Sequence, residues 1–155
     1  MAAIEVRDAE SMRRLGVAIA AVARAGDLVV LTGELGAGKT TLTQGIGAGL
    51  GVSGDVLSPT FVIARVHRGG RVPLVHADAY RLGSVEEIDD LDLDASLEES
   101  VTVVEWGAGL VERLAGDLLE VRISRSDDDN DETRFVTLHP VGDGWAQRVE
   151  DVAHG

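Results

Sequence analysis

Residues 33 to 40 read Gly33-Glu34-Leu35-Gly36-Ala37-Gly38-Lys39-Thr40, the spacing G-x-x-x-x-G-K-[ST]. These residue types at this spacing suit one task, the cradling of a phosphate chain. Glycines let the backbone wrap tightly, so that successive N–H groups converge on phosphate oxygens. A helix opening near Gly38 adds further unpaired N–H groups and the positive end of its dipole. Lys39 is expected to bridge β- and γ-phosphate oxygens as a compact point charge, and the Thr40 hydroxyl to ligate Mg²⁺. The cation usage singles out the same position. Of 14 basic residues 13 are Arg, and the one Lys is Lys39. The chain holds 19 glycines, so a glycine-rich turn matching by accident is the alternative. The buried strand expected before the loop and the helix expected after it weigh against accident.

Such a loop needs acids beside it. Val101-Thr102-Val103-Val104-Glu105 is an apolar strand ending in a carboxylate. In a parallel sheet that end faces the crevice of the phosphate loop, where a carboxylate can hold Mg²⁺ or its waters, or orient an attacking water. A solvated acid at a strand end is the plainer reading of Glu105, and packing is the plainer reading of Trp106. Asp78, in His76-Ala77-Asp78-Ala79-Tyr80-Arg81, is a second acid for metal or water, or a loop-facing carboxylate. Thr60, in Ser58-Pro59-Thr60-Phe61, stands where a switch-loop hydroxyl senses a γ-phosphate, and equally where an ordinary turn would stand.

The elements that position these residues follow from apolar spacing. Met12, Leu15, Ile19 and Val22 form a helical stripe, with Asp8 as N-cap and Gly26 as stop. Leu28 to Leu31 is an unbroken apolar run, the sign of a strand buried on both faces. Leu42, Ile46 and Leu50 make the next helix, whose Gly45, Gly47 and Gly49 would let it lie close against a sheet. Phe61 to His67 and Val72 to Leu82 read as strands joined through Gly69-Gly70, a hairpin signal. Glu86 to Glu99 reads as a short acidic helix with loops, and Val101 to Val104 as a second buried strand. Ala108 to Ala115 reads as a short helix, and Leu118 to Ser124 with Arg134 to His139 as a terminal hairpin. This order predicts a layered α/β fold, its sheet parallel in the centre with antiparallel hairpin strands toward an edge. Residues 1–141 are read as one domain, and 142–155 as a flexible tail.

Composition bounds the rest. The chain has 155 residues, enough to bury a core without staples, and no cysteine, which removes disulfides and thiolate chemistry. No signal-like start and no apolar run of about 18 residues is present, so a cytoplasmic address is expected, with no membrane partner. A net charge of −13 disfavours a broad nucleic-acid-binding face. The four histidines lack zinc spacing, and Asp127, Asp129 and Asp131 lack the Gly and Glu that complete a calcium loop. A guanine-reading Asn-Lys-x-Asp is excluded, since the sole Lys already stands in the phosphate loop.

Taken in order, Lys39-Thr40-Thr41, Ser58-Pro59-Thr60, His76-x-Asp78-x-Tyr80-Arg81 and Glu105-Trp106 resemble the TsaE family. The resemblance runs over roughly residues 8 to 140. It implies a three-layer P-loop NTPase-like fold with an atypical strand order. It also implies a Mg²⁺-dependent ATPase that acts with the TsaB and TsaD proteins. Together these install N6-threonylcarbamoyladenosine at position 37 of tRNAs reading ANN codons. tRNA would be met through the complex rather than directly, which suits the charge. By this resemblance Gly36, Ala37, Gly38, Lys39, Thr40 and Thr41 bind the nucleotide phosphates, in the loop that Gly33 opens, and Thr40 and Glu105 hold the metal. Asp78, Trp106 and Thr60 act in catalysis or nucleotide response, and Ser11 approaches the adenine. The acidic run Glu86 to Asp94 is either part of a docking face or a solvated surface.

Two other readings of a P-loop this size stand beside it. A small-molecule kinase should carry an Arg-rich lid, and Glu86 to Glu99 contains no Arg. A nucleotide-binding regulator would bind without turnover.

Overall fold

The computed structural model describes residues 3–33, 38–52, 64–67, 69–78, 99–105, 118–125 and 132–154, with backbone alone for 64–67, 77–78 and 153–154. Among them the elements run β1 (Ile4–Val6), α1 (Ala9–Val22), β2 (Leu28–Gly33), α2 (Lys39–Leu50), β3 (Ala64–His67) and β4 (Leu74–Asp78). There follow β5 (Val101–Glu105), β6 (Leu118–Arg125), β7 (Arg134–Val141), α3 (Asp143–Ala146) and α4 (Arg148–His154). The readings of 86–98 and 108–115, and the start of the strand expected from Phe61, lie outside the described residues.

The strands form one sheet in the order β1-β7-β6-β2-β5-β4-β3. β6, β2, β5 and β4 are mutually parallel, and β2 lies between β6 and β5. Antiparallel pairs close both flanks, β3 on β4 at one and β7 and β1 beyond β6 at the other. Both expected hairpins thus stand at the edges of a parallel centre, and β1, only three residues long, adds one further strand to β7.

Leu28 to Leu31 are all fully buried, as an uninterrupted apolar strand in a parallel centre requires. Val29 and Leu31 join Leu74, Val101, Val103, Leu119 and Val121 in the core beneath α1 and α2. Leu28, Val30, Val75 and Val104 point to the opposite face and are also withdrawn from water. Each such side chain contributes about 1.5–3 kcal/mol by burial. The sheet is covered on both sides, as in a three-layer α/β fold.

α1 begins where Asp8 Oδ1 accepts a hydrogen bond from the Ser11 N–H at 2.8 Å. That bond, chiefly, holds the Asp8 carboxyl below its ordinary value, so the cap is in place above that value and is lost as pH falls. At the other end Arg71 donates to the carbonyls of Ala20 and of the C-cap Ala23, at 2.6 and 3.1 Å, so the end of α1 is held by a side chain from a distant part of the chain. No helix among the described residues is long and apolar enough to cross a membrane.

The glycines of α2 serve a different neighbour from the one expected. A Cβ on Gly45 would stand 2.2 Å from the Arg13 carbonyl oxygen, and one on Gly16 would stand 2.4 Å from that of Leu42. A Cβ on Gly49 would meet Ala20 Cβ at 2.6 Å. Gly45 and Gly49 thus let α2 pack on α1, not on the sheet. The two helices start beside the phosphate loop, so this contact sets one wall of the site against another. Gly45→Ala is expected to cost about 1–3 kcal/mol despite Ala's better helix propensity, because rigid backbone stands in the way. Urea denaturation checks this through a lower midpoint at unchanged slope.

The flexible tail expected from Gly142 is also corrected. Trp145 is fully buried, and Val149 and Val152 join it in the core. Arg148 holds the segment down. Its guanidinium donates to both Asp27 carboxylate oxygens at 2.7 and 3.1 Å, to Val22 O at 2.9 Å and to Gly144 O at 2.7 Å. It also lies over the Trp145 ring, 4.0 Å from the centroid. Apolar residues at spacings of 4 and 3 carried the helical signal, but the segment is too short for its periodicity to stand out.

Candidate functional site

β2 delivers Gly33 to the carboxyl edge of the sheet, and α2 starts at Lys39. Between them the chain must reverse, and Gly38 makes the last step with φ +109°, a left-handed conformation that side chains rarely adopt. A Cβ there would also stand 3.1 Å from the Met12 Cε of α1. The glycine before the lysine is therefore required by the backbone, with the flexible end of Met12 close beside it.

Lys39 folds back into the loop. Its side chain is buried, 6% exposed, and Nζ donates to the Gly33 carbonyl at 2.7 Å. A buried ammonium after a glycine-rich sequence, beside the N–H groups that open α2, makes a site for an anion. Thr43 Oγ1 donates to Lys39 O at 2.8 Å and ties down the first turn that carries Lys39 and Thr40.

β5 lies next to β2, with Leu31 opposite Glu105. Glu105 is 4% exposed, at the edge where the loop begins. Thr40 Oγ1 donates toward Glu105 Oε1 at 3.4 Å, and Glu105 Oε2 lies 3.5 Å from His76 Nε2. Both distances exceed the 2.5–2.9 Å or so of a full charge-assisted hydrogen bond. A buried carboxylate thus has two loosely held neighbours, the Thr40 hydroxyl at one oxygen and the His76 imidazole at the other. β4 places Asp78 directly opposite Glu105 in register, so two acids end adjacent parallel strands.

A cavity of about 150 Å³ adjoins this edge. The start of α1 (Asp8, Ala9, Met12), the start of α2 (Gly38, Thr41), Glu132 and Arg134 line it. Ser11, expected near a base, is not among these residues. Its Oγ accepts from Arg14 Nη2 at 3.1 Å, and it is the flanking Asp8, Ala9 and Met12 that face the cavity.

The structure therefore gathers Gly33, Gly38, Lys39, Thr40, Thr41, Asp78 and Glu105 at one edge of the sheet. Gly36, Ala37, Thr60 and Trp106 lie outside the described residues. Sequence reasoning did not single out His76, Met12 or Glu132. His76 stood in a quoted segment, but its contact with Glu105 depends on how β4 pairs with β5.

A parallel α/β sheet whose buried central strand runs into G-x-x-x-x-G-K-T and a helix, with a carboxylate from the adjacent strand beside it, is a P-loop NTPase-like fold. A crystal structure of Bacillus subtilis YdiB superposes with a TM-score of 0.81 at 31% identity, over 98% of this chain and 93% of that one. The family profile of the threonylcarbamoyl adenosine biosynthesis protein TsaE matches residues 6–135. The tRNA threonylcarbamoyladenosine biosynthesis protein TsaE of Streptomyces coelicolor is 61% identical over 148 residues, 93% of this chain and all of that protein. The protein of the same name from Bacillus subtilis is 37% identical over 145 residues, 93% of this chain and 89% of the relative. The chain belongs to the TsaE family of threonylcarbamoyl adenosine biosynthesis proteins.

Proposed function

We propose that this chain binds ATP with Mg²⁺ and hydrolyses it within the machinery that forms N6-threonylcarbamoyladenosine at position 37 of tRNAs reading ANN codons, acting with TsaB and TsaD. The observation that carries the reading is the meeting of Lys39, Thr40 and Glu105 across the carboxyl ends of β2 and β5. In this reading the bend from Gly33 through Gly36 and Ala37 to Gly38 wraps the β- and γ-phosphates with main-chain N–H groups. Lys39 leaves the Gly33 carbonyl for phosphate oxygens, exchanging a neutral acceptor for an anionic one. Thr41 and the cavity beside Met12 face the rest of the nucleotide, with the base against Met12 and Ala9 and polar edges toward Asp8 and Arg134.

The residues fit Mg²⁺. Thr40 and Glu105 offer oxygen donors only, and their oxygens stand 3.4 Å apart with neither fully committed. One or two protein oxygens beside a phosphate chain is how this ion is usually held, since it keeps several waters. When bound, it neutralises charge on the phosphates during transfer. The chain's own part is to keep Glu105 dry and aimed, and to hold Asp78 on the adjacent strand, where it can order a water. Trp106 and Thr60 enter this reading through the TsaE resemblance.

The test is incubation with ATP and Mg²⁺, with and without TsaB and TsaD. Slow phosphate release, raised or gated by the partners, is the expected result. A phosphorylated metabolite, or tight binding without phosphate release under any condition, would refute the assignment.

A further inference from the structure

β4 carries a histidine on the sheet's inner face, where its neighbours Leu74 and Val103 are aliphatic. His76 lies in register with Val103, and neither Nδ1 nor Nε2 makes a full hydrogen bond. Its side chain has no exposure to solvent. An imidazole in that position is a poor core residue, because burial strips its two nitrogens of water and returns little. What it does approach is Glu105. Nε2 lies 3.5 Å from Oε2, while the other carboxylate oxygen, Oε1, lies 3.4 Å from the Thr40 hydroxyl. The carboxylate is spanned, with the imidazole behind it and the loop threonine in front.

We propose that His76 is a positioning residue for Glu105. Its Nε2–H holds Oε2 from beneath and turns Oε1 toward the Thr40 side, where the metal of the nucleotide complex is to be held. The inference rests on the reading of Glu105 as a Mg²⁺ holder, and it deepens that reading. Without a rear donor the carboxylate is free to rotate about its last bond, and a cation must order it on binding. Partners standing behind a metal-holding side chain typically change metal affinity by about 10–100-fold. The geometry also says which replacement preserves the effect. Glutamine places an amide N–H about as far from the backbone as Nε2, whereas asparagine's reaches only as far as Nδ1.

Mg²⁺ titrations in the presence of a fluorescent ATP analogue test this on the full chain, read as the metal midpoint for tightened analogue binding. Each variant is also measured without metal and melted to confirm folding. His76→Leu and His76→Asn are expected to raise the Mg²⁺ midpoint about tenfold or more, with metal-free analogue affinity within about twofold of wild type. His76→Gln is expected to recover most of that shift. Should the leucine variant not fold, the contrast between Asn and Gln decides. Equal midpoints for Asn, Gln and wild type, while Glu105→Gln shifts the midpoint, would overturn the positioning role and leave Glu105 as the metal holder. An unshifted midpoint in Glu105→Gln itself would overturn both.

Discussion

Lys39→Ala is expected to weaken ATP binding about 10- to 150-fold. Lys39 is 6% exposed, and its ammonium donates to the Gly33 carbonyl. A charge-assisted contact to an anion contributes about 1.5–3 kcal/mol, which is that range of fold-change. No other lysine exists in the chain to replace it. Lys39→Arg is expected to fail nearly as badly, since a planar fork does not fit where a compact ammonium is enclosed. The loss is in recognition and not in folding. The variant's melting temperature without nucleotide should change little, while the rise on adding ATP disappears with the affinity. Calorimetry with ATP checks the size, and unchanged affinity in the alanine variant would remove the loop from the site.

Glu105→Gln should produce two effects of opposite sign. The carboxylate is 4% exposed and stands against Thr40, close to where phosphates would lie. Without metal, its negative charge repels a triphosphate, so neutralising it should leave metal-free ATP binding unchanged or tighter. With Mg²⁺ the same charge helps hold the ion, so the variant should need more metal. Its hydrolysis should fall about 10²- to 10³-fold, the size of loss seen when one preorganised electrostatic partner is removed. Parallel measurements of analogue binding with and without Mg²⁺, and of phosphate release, check all three. A variant that weakened both binding conditions equally would point to a collapsed site and not to a lost metal holder.

Much of this was legible before any coordinates, and the reasons are local. Leu28 to Leu31 are apolar without a break, and Val101 to Val104 are apolar but for Thr102, so their burial on both faces followed from composition alone. α1 was marked by a 3.6-residue stripe and by Asp8, which caps it. Glu105 was marked because it closes a buried strand. What escaped depends on pairings far apart in sequence. Thr40 and Glu105 meet across 65 residues, and Arg148 reaches Asp27 across 121. His76 could be placed behind Glu105 only once β4 lay beside β5 in a known register. The glycines of α2 were read as close-packing residues, yet nothing in their spacing says whether a sheet or a helix receives them. β1 was missed because three residues carry too little pattern, and the closing helices because only Trp145, Val149 and Val152 mark them.

The most direct test is a crystal structure of the full chain with a non-hydrolysable ATP analogue and Mg²⁺. The β- and γ-phosphates should lie in the bend from Gly33 to Thr40, with Lys39 Nζ moved off the Gly33 carbonyl onto phosphate oxygen. The metal should sit on Thr40, with Glu105 holding it directly or through one water. An analogue bound elsewhere with that bend empty, or a metal with Glu105 turned away from it, would contradict the account.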